Sequence, residues 1–301
     1  MKVVVFCRDH LGDAVNSTGL LYGVRELFPE AEIVVESGNL ASLIFEKQPS
    51  IDRCIIRPER QGILGKIKGI WIWRREKFDV AIALDDSNGF VLKAFLAGVP
   101  KRFGISRGRK YLNLYTGKIN IDYSVHEVRD NGQNLLNFLG CTCDYRMPNI
   151  CIPNEMKTTE KYLNDHQIVL HFGASEKKRM PEIEEERLIV SAVHKLGMRE
   201  LVIGSEKDLN HAKAQGFNTL SKVLHPLELV DLISQSKYFI GTDSGPAQIA
   251  GAYEIPGIIL YGPSNPKNTL PYGKQLRIVK LNNELSDSIE KIFASDFSRG
   301  E

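Results

Sequence analysis

The sequence predicts an α/β protein of two halves, each built on a doubly wound parallel sheet of the Rossmann-like kind. Its 301 residues, 43% of them hydrophobic, suffice for two domains of about 150 residues each. Short apolar, β-branched runs alternate with segments whose apolar residues recur at helical spacing. The alternation stops at a proline-flanked stretch, 149–166, and then starts again, so we expect the connection between the halves there.

The first half is predicted to contain five strand-helix units. The predicted strands are 2–7, 32–37, 52–57, 78–84 and 101–106. The predicted helices lie within 19–28, 40–46, 61–77, 90–98 and 126–140. A polar, glycine-containing loop separates the first strand from its helix, and an irregular stretch precedes the last helix.

The second half repeats the pattern. The predicted strands are 168–173, 201–204, a short one near 218–221, 238–243, 257–262 and 276–281. The predicted helices lie within 182–196, 206–215, 225–236 and 244–254, with a last helix at about 284–297. Two such domains, 1–150 and 151–301, facing each other, leave a cleft at the carboxyl ends of both sheets.

Composition excludes several classes. The apolar runs are far shorter than the roughly 20 residues that a bilayer span needs, and Met1-Lys2 leads straight into a strand, so we expect a cytoplasmic protein. The five cysteines lack CxxC spacing and the seven histidines lack HExxH spacing. We therefore expect buried thiols, no structural metal and no cofactor.

The stretch 241–273 predicts an anion site. A strand ends on Asp243, a Ser-Gly-Pro corner follows, and a helix begins. The backbone N–H groups of Ser244, Gly245 and Ala247 therefore have no partner inside the helix, and its dipole adds to their attraction for a phosphate or pyrophosphate.

Other fingerprints of α/β enzymes are missing. The first β-α turn has a lone Gly12 where a dinucleotide-binding protein has GxGxxG, and GxxxxGK[ST] and GxSxG occur nowhere. These absences argue against a dehydrogenase, a P-loop NTPase and an α/β-hydrolase.

Polar residues follow several predicted strands, on the side where such folds bind ligands. Asp13 follows the first strand, Ser175 and Lys178 follow the strand that ends near His171, and Glu206 follows LVIG. A carboxylate in one half, with cations and a helix start in the other, suits group transfer from a nucleotide-bound donor.

Four separated blocks then resemble glycosyltransferase family 9, the ADP-heptose:lipopolysaccharide heptosyltransferases. One block contains DSGPAQIA (243–250) and PGIILYGPSNP (256–266), which are similar to the family's D-[ST]-G-x-x-H-x-A and P-x-x-x-L-[FY]-G-P-[ST]-x-P. The segments beginning LGD (11–33), KFDVAIAL (77–106) and LHFGAS (170–188) resemble further family segments, in the family's order.

The resemblance implies a GT-B fold, with the acceptor on the N-terminal domain and a nucleotide sugar on the C-terminal domain. It implies inverting, metal-independent transfer of heptose from ADP-heptose to a lipopolysaccharide-core or related cell-surface glycan. Asp13 of LGD would be the general base. The implied donor contacts are Lys178 to phosphate, Glu206 to ribose, and Ser175, Asp243, Ser244, Gly245 and Gln248 to sugar and pyrophosphate.

Two positions depart from the family pattern. Gln248 stands where the family usually has His, and Met180 stands where it usually has Trp. A glutamine still donates a hydrogen bond but carries no charge, so the pyrophosphate contact or the donor itself is expected to differ.

Simpler roles remain open for several of these residues. Asp13 also suits the N-cap of the first helix, and Glu206 suits the first turn of another. The run 177–179 also reads as a solvated charge cluster. Asp85-Asp86-Ser87 invites comparison with a metal-binding DxD motif, but capping of the helix 90–98 explains it without a metal.

The segment 53–118 holds fifteen Lys and Arg against five Asp and Glu, although the whole chain has a formal net charge of only +2. Such an excess favours an anionic partner. Trp71 and Trp73 lie between basic residues and suit a membrane interface, a sugar or the core. We expect an anionic glycolipid acceptor at the inner membrane surface, contacted by Arg74, Arg75, Lys101 and Arg102; no nucleic-acid motif is present.

The sequence thus favours a peripheral GT-B glycosyltransferase. A nucleotide-sugar-binding protein that has lost transfer is the alternative, supported by Gln248. A nucleotide-sugar epimerase of similar shape is a weaker one.

Overall fold

Alternating strands and helices build two parallel sheets in the computed structural model, which describes residues 1–58, 62–85, 88–108, 111–157, 159–163, 167–263, 265–281 and 285–297. The chain divides into two compact units, Met1–Cys151 and Ile152–Glu301. Each unit holds one parallel sheet with helices, which confirms the predicted α/β class.

The N-terminal unit contains a six-stranded sheet. Its strands are β1 (Lys2–Phe6), β2 (Glu32–Ser37), β3 (Arg53–Ile56), β4 (Val80–Ala83), β5 (Lys101–Ser106) and β6 (Gly117–Asn120). Its helices are α1 (Leu11–Leu27), α2 (Asn39–Phe45), α3 (Gly62–Glu76), α4 (Asn88–Leu96) and α5 (Arg129–Phe138). The spatial order is β3-β2-β1-β4-β5-β6. The order reverses between β1 and β4, and ligands of such sheets bind at the carboxyl ends of the strands beside that reversal.

The C-terminal unit contains a five-stranded sheet. Its strands are β7 (Gln167–His171), β8 (Arg199–Val202), β9 (Phe239–Thr242), β10 (Gly257–Tyr261) and β11 (Leu276–Lys280). Its helices are α6 (Thr159–Tyr162), α7 (Ile183–Lys195), α8 (Glu206–Ala214), α9 (Pro226–Ser234), α10 (Gly245–Ala252), α11 (Pro266–Thr269) and α12 (Leu285–Phe297). The order β11-β10-β9-β7-β8 reverses between β7 and β9, so His171 and Asp243 come to the same edge.

The first helix begins at Leu11, so most of the polar stretch expected to be a loop before it is helical. Two strand predictions also differ from the structure. β6 lies in the stretch expected to be irregular; it is a short edge strand whose GKIN sequence lacks the apolar run of a central strand. The strand expected near 218–221 is only a single parallel bridge between Val202 and Thr219. Both errors concern sheet edges, where apolar patterning is weakest.

Central strands pack on both faces, so their side chains are almost wholly apolar. In the N-terminal unit Val4, Val34 and Ala81 pack with Trp73 of α3 and Phe90 of α4. In the C-terminal unit a matching cluster joins the sheet to α7 and α12. The two tryptophans of α3 therefore have different environments. Trp73 is buried in the core, whereas Trp71 is exposed.

Among the described residues no helix is both long and apolar enough to cross a membrane. Asp86 and Ser87 of the candidate DxD motif lie outside the described residues, as do 158 and 164–166 of the expected connection. Within that connection the structure has a 3-10 helix, Asn154–Met156, and α6.

Candidate functional site

Polar groups follow three neighbouring strands of the C-terminal sheet and lie at its carboxyl edge. β7 ends on His171, β9 is followed by Asp243 and Ser244, and β10 is followed by Gly262 and α11. Because β9 lies between β10 and β7, these groups meet around the start of α10.

Asp243 is the centre of this edge. Its side chain is 5% exposed, and Oδ2 accepts hydrogen bonds from Arg179 Nη1 at 3.1 Å and from Thr269 Oγ1 at 2.9 Å. The guanidinium of Arg179 also donates to Ser175 Oγ. The guanidinium of Arg179 pairs with this carboxylate and offsets the cost of burying it. We call Ser175, Arg179, Asp243, Gln248 and Thr269 the Asp243 network.

Gln248 belongs to the same network. Its Nε2 donates to the backbone oxygen of Thr269 at 2.7 Å, one turn after α10 begins. Thr269 is therefore held at both its hydroxyl and its carbonyl, and α11 is fixed against α10. The N–H donor that glutamine shares with histidine is the property this contact requires.

The start of α10 has no side-chain cap. Ser244 is the N-cap residue, but its Oγ lies 3.1 Å from His171 Nδ1 and donates to the Thr242 oxygen at 3.0 Å. Burial lowers the pKa of His171 to about 4, so this imidazole is neutral at pH 7. With the hydroxyl turned away, the first N–H groups of the helix point out of the half-exposed corner at Ser244 and Gly245.

Lys178 does not join the network. It lies on a 3-10 helix, Lys177–Arg179, and its exposed ammonium pairs with Glu176 at 2.7 Å. The cation that turns inward is Arg179. The sequence does not single it out, because three adjacent cations give no sign of which one faces the protein. A signal was present in the residue type, since a buried carboxylate is matched best by the planar guanidinium fork.

Gly262 explains how the 3-10 helix reaches the strands. A Cβ atom on Gly262 would lie 2.6 Å from the Lys178 carbonyl oxygen and 3.3 Å from Arg179 Cα. The backbone of 177–179 therefore rests directly on the end of β10. Glycine at this position of the G-P-[ST] run is required by packing.

Glu206 lies outside the network. It is exposed at the first position of α8, whose N-cap is Ser205. The acid that approaches β7 is Asp208: its Oδ2 accepts from Ser205 N at 2.9 Å, and it would lie 2.8 Å from a Cβ on Gly173. Glu206 is therefore placed for contact with solvent or a ligand, and Asp208 for support of the loop after β7.

The carboxyl edge of the N-terminal sheet carries a different arrangement. Arg8, just after β1, donates from Nη1 to Glu127 Oε1 at 3.0 Å and lies 3.6 Å from Asp85 Oδ2 through Nε. Arg107, just after β5, donates to the same Glu127 oxygen at 3.1 Å. We call Arg8, Asp13, Asp85, Arg107 and Glu127 the Arg8 cluster.

Asp13 lies in the first turn of α1, but the N-cap position belongs to His10. Its side chain is 23% exposed, and Oδ2 lies 3.9 Å from Arg8 Nη1. The alternative role of Asp13 as the N-cap is therefore wrong. The other charged members of the cluster come from separate loops, so sequence spacing gave no sign that they meet.

The four proposed acceptor contacts lie at the opposite edge. Lys101 begins β5, and Arg74 and Arg75 end α3, beside Glu76, which pairs with Lys2 at the start of β1. The guanidinium of Arg102 donates to the backbone oxygens of Val99, Pro100 and Leu114 at 2.6 to 2.9 Å. The structure therefore does not bring these residues to Asp13, because parallel strands all begin at the same edge.

Comparison with known proteins gives consistent matches. The family model of glycosyltransferase family 9 (heptosyltransferase) matches residues 73–293. The chain is 24% identical over 315 residues to lipopolysaccharide heptosyltransferase 2 of Escherichia coli (strain K12), covering 93% of this chain and 88% of the relative.

Two solved structures share the fold. The glycosyl transferase family 9 protein from Veillonella parvula DSM 2008 matches with a TM-score of 0.81 and 21% identity over 98% of this chain and 91% of that one. E. coli ADP-heptose lps heptosyltransferase II matches with a TM-score of 0.79 and 20% identity over 100% of both chains.

Proposed function

This chain belongs to glycosyltransferase family 9, the heptosyltransferases, and has their two-domain GT-B fold; on that premise we propose that it transfers heptose from ADP-heptose to a lipopolysaccharide-type acceptor. The donor and acceptor are those in the names of its relatives, E. coli lipopolysaccharide heptosyltransferase 2 and ADP-heptose lps heptosyltransferase II. The observation that carries the proposal is the uncapped start of α10 beside Arg179.

The C-terminal unit holds the donor in this proposal. The pyrophosphate lies against the N–H groups at Ser244 and Gly245, where the Ser244 hydroxyl is turned towards His171 and leaves them exposed. Asp243 acts indirectly, by fixing Arg179 beside this corner. Lys178 breaks its exposed ion pair with Glu176 to bind a phosphate. Glu206, which is also exposed, accepts hydrogen bonds from ribose hydroxyls.

The N-terminal unit holds the acceptor. Asp13 removes the proton from the acceptor hydroxyl while its oxygen attacks the anomeric carbon. The bond from that carbon to the pyrophosphate oxygen breaks, ADP leaves with the electron pair, and the configuration inverts. Arg8 Nη1 lies 3.9 Å from Asp13 Oδ2 and helps to position this carboxylate. Helix dipole and cationic side chains take the place of a metal ion at the leaving phosphates.

Two measurements test the donor and the transfer separately. A thermal-shift screen against ADP, UDP and GDP should give the largest rise in melting temperature with ADP, since a ligand stabilises the state that binds it. ADP-heptose and a lipopolysaccharide-core fragment should then give ADP release that depends on both. Binding of ADP-heptose without any release would favour the binding-protein alternative, and no stabilisation by any nucleotide would contradict the donor site.

The acceptor of this reaction is a lipid, and α3 offers a face that suits a membrane surface. Four large apolar side chains are exposed on it: Ile63 (75%), Leu64 (80%), Ile67 (55%) and Trp71 (55%). Their spacing places them within about 100° of the helix circumference. A continuous apolar stripe of this kind is unusual on a protein surface that contacts only water.

The charges around this stripe favour an anionic bilayer as the proposed occupant. Exposed Lys66, Lys68, Arg74 and Arg75 flank the stripe, and the Arg75 guanidinium lies 4.6 Å from the Trp71 ring centre. Glu76, the acid of this helix, is turned away and paired with Lys2 and Arg53. Apolar insertion together with lysine and arginine at the headgroups is the pattern of in-plane helices on anionic lipid. Arg74 and Arg75 therefore act at the membrane in this proposal.

Sedimentation with phosphatidylglycerol-containing vesicles tests this face. Leu64→Glu should lower vesicle binding by about tenfold or more, because a buried leucine contributes about 2 kcal/mol. Leu188→Glu, a matched change at an exposed leucine of α7, should leave binding unchanged. Equal binding of both variants would contradict membrane docking, and a dimer lost only in Leu64→Glu would assign the face to a second copy. Transfer to a water-soluble acceptor fragment should persist in both.

A further inference from the structure

A cysteine pair lies outside both ligand-binding edges, where α5 ends against α1. Gly140, with φ of 96°, ends the helix, and Cys141 N donates to the Leu136 oxygen at 2.9 Å. The Cys143 oxygen accepts from Gln133 Nε2 at 2.8 Å. The C-x-C turn is therefore held at both ends by α5, and its conformation is set before any ligand binds.

The two sulfur atoms converge with a carboxylate of α1. Cys141 Sγ lies 3.0 Å from Cys143 Sγ, and these sulfurs and a Glu26 oxygen all lie within 4.8 Å of one another. Gly23, one turn earlier on α1, lies close to both: a Cβ there would lie 2.8 Å from Leu136 Cδ1, 3.3 Å from Cys141 Sγ and 3.5 Å from Cys143 Sγ. Among the described residues, these three form the group of histidine, cysteine and acidic side chains whose ligand atoms converge this closely.

We infer that Glu26, Cys141 and Cys143 bind one thiophilic divalent cation of the zinc class, independently of the proposed transferase function. Two thiolates and a carboxylate are donors that Zn²⁺ accepts in tetrahedral sites, with Zn–S near 2.3 Å. That geometry requires the sulfurs to lie about 3.8 Å apart, so they must separate by less than about 1 Å. Water fills the fourth position, and the two thiol protons pass to solvent on binding.

The third donor favours a cation over a disulfide. A disulfide would use only the two cysteines, and Glu26 would then keep only its ion pair with Arg146 as a reason to lie beside them. Arg146 Nη2 lies 3.3 Å from Glu26 Oε1, but both side chains are about half exposed, so a divalent cation can replace this pair at little cost.

The site would join two helices. Glu26 lies in the last turn of α1, and the cysteines follow α5. The chain then runs back along α1: Tyr145 Oη donates to the Asn16 oxygen at 3.2 Å, and a Cβ on Gly19 would lie 2.2 Å from the Arg146 oxygen. A bound cation would therefore fix the segment 141–146 on the helix whose first turn carries Asp13.

Cadmium titration tests the site on untagged, reduced, metal-free protein. Cd²⁺ should produce the thiolate-to-metal absorption band and saturate at one ion per chain. Zn²⁺ should displace it and raise the melting temperature with increasing free metal. Cys143→Ser should abolish the band, and Glu26→Gln, a change at an exposed position, should weaken Cd²⁺ binding by about tenfold or more.

Cys151→Ser, at an exposed cysteine, is the matched control and should keep the full band. The melting temperature of each variant in the presence of a chelator shows whether its fold is intact. If Cys143→Ser fails to fold, Cd²⁺ binding by Glu26→Gln is the test. The proposal is wrong if reduced protein gives no band or if Cys143→Ser keeps it. A mass lower by two hydrogen atoms after exposure to air, without Cd²⁺ binding by the reduced protein, would assign the pair to a disulfide.

Discussion

At the carboxyl edge of the N-terminal sheet, most charged side chains of the Arg8 cluster are partly exposed. At the carboxyl edge of the C-terminal sheet, the central charged pair of Arg179 and Asp243 is largely buried. The Arg8 cluster places Asp13 about a quarter exposed beside a guanidinium. In the Asp243 network the carboxylate is largely buried and accepts hydrogen bonds from Arg179 and Thr269, beside the uncapped start of α10. A side chain that must move a proton needs access, and a site for an invariant pyrophosphate gains from rigidity. The difference fits acceptor chemistry in one unit and donor binding in the other.

Asp13→Asn should cause the largest loss. Removing the proposed base should lower kcat by about a thousandfold while leaving ADP affinity unchanged, because we propose that the other unit binds the donor. The measurement is ADP release at saturating donor and acceptor, together with ADP titration. Equal losses in kcat and ADP affinity would contradict the proposal that one sheet edge supplies the base and the other binds the donor.

Arg179→Met and Lys178→Met separate the buried cation from the exposed one. Arg179→Met leaves the Asp243 carboxylate buried without its guanidinium, so unfolding in urea should show a loss of about 2–3 kcal/mol and ADP affinity should fall about tenfold. Lys178→Met removes an exposed pair and should leave stability unchanged. If Lys178→Met lost more ADP affinity than Arg179→Met, Lys178 would be the phosphate contact, as the sequence predicts.

Acid should weaken both units through one buried histidine each. Burial lowers the pKa of His126 to about 4, with Arg129 adding to the effect and Asp130 opposing it. Burial also lowers the pKa of His171 to about 4, and the charge of Asp208 opposes this shift. Because the unfolded chain takes up these protons first, stability is complete above about pH 6.5 and is lost as pH falls towards 4.

The expected loss is about 2 kcal/mol per histidine at pH 5 relative to pH 7.5. His126 Nδ1 accepts from Val128 N and Arg129 N at 3.2 and 3.1 Å, so its protonation also removes a helix-start contact. Urea unfolding across this range measures the slope, and His126→Asn or His171→Asn should each remove about half of it. A slope unchanged in both variants would assign the acid sensitivity to other groups.

Gln248→His should have the smallest effect. An imidazole N–H can replace the amide donor to the Thr269 oxygen, so stability should change by less than about 1 kcal/mol. Gln248→Ala, which removes the donor, should cost about 1 kcal/mol. Unfolding and ADP titration check both; a rise of more than tenfold in ADP affinity with histidine would mean that this side chain contacts the donor directly.

Sequence predicted most of the fold because central parallel strands are continuous apolar runs, as in Val3–Val5 and Ile258–Leu260. It failed at β6 and near Thr219, where the strand is short or is a single bridge. The helix start after Asp243 was predictable because backbone geometry follows from a local Ser-Gly-Pro pattern.

The side-chain arrangements were less predictable. The pairing of Arg179 with Asp243, and of Arg8 with Glu127, joins residues 64 and 119 positions apart, which no local pattern encodes. The expected acceptor contacts Arg74, Arg75, Lys101 and Arg102 were chosen by charge alone. Charge does not report the edge of the sheet on which a residue lies, nor whether a guanidinium already binds carbonyls, as Arg102 does.

Gly262 links two parts of the sequence that are about eighty residues apart along the chain. Since even a methyl group there would meet the backbone at Lys178 and Arg179, the block 173–181 and the block 257–266 behave as one exchangeable module. A chimera that takes only one block from a relative would displace the 3-10 helix, and Arg179 with it. Grafting a new donor preference onto this chain therefore requires both blocks to be moved together.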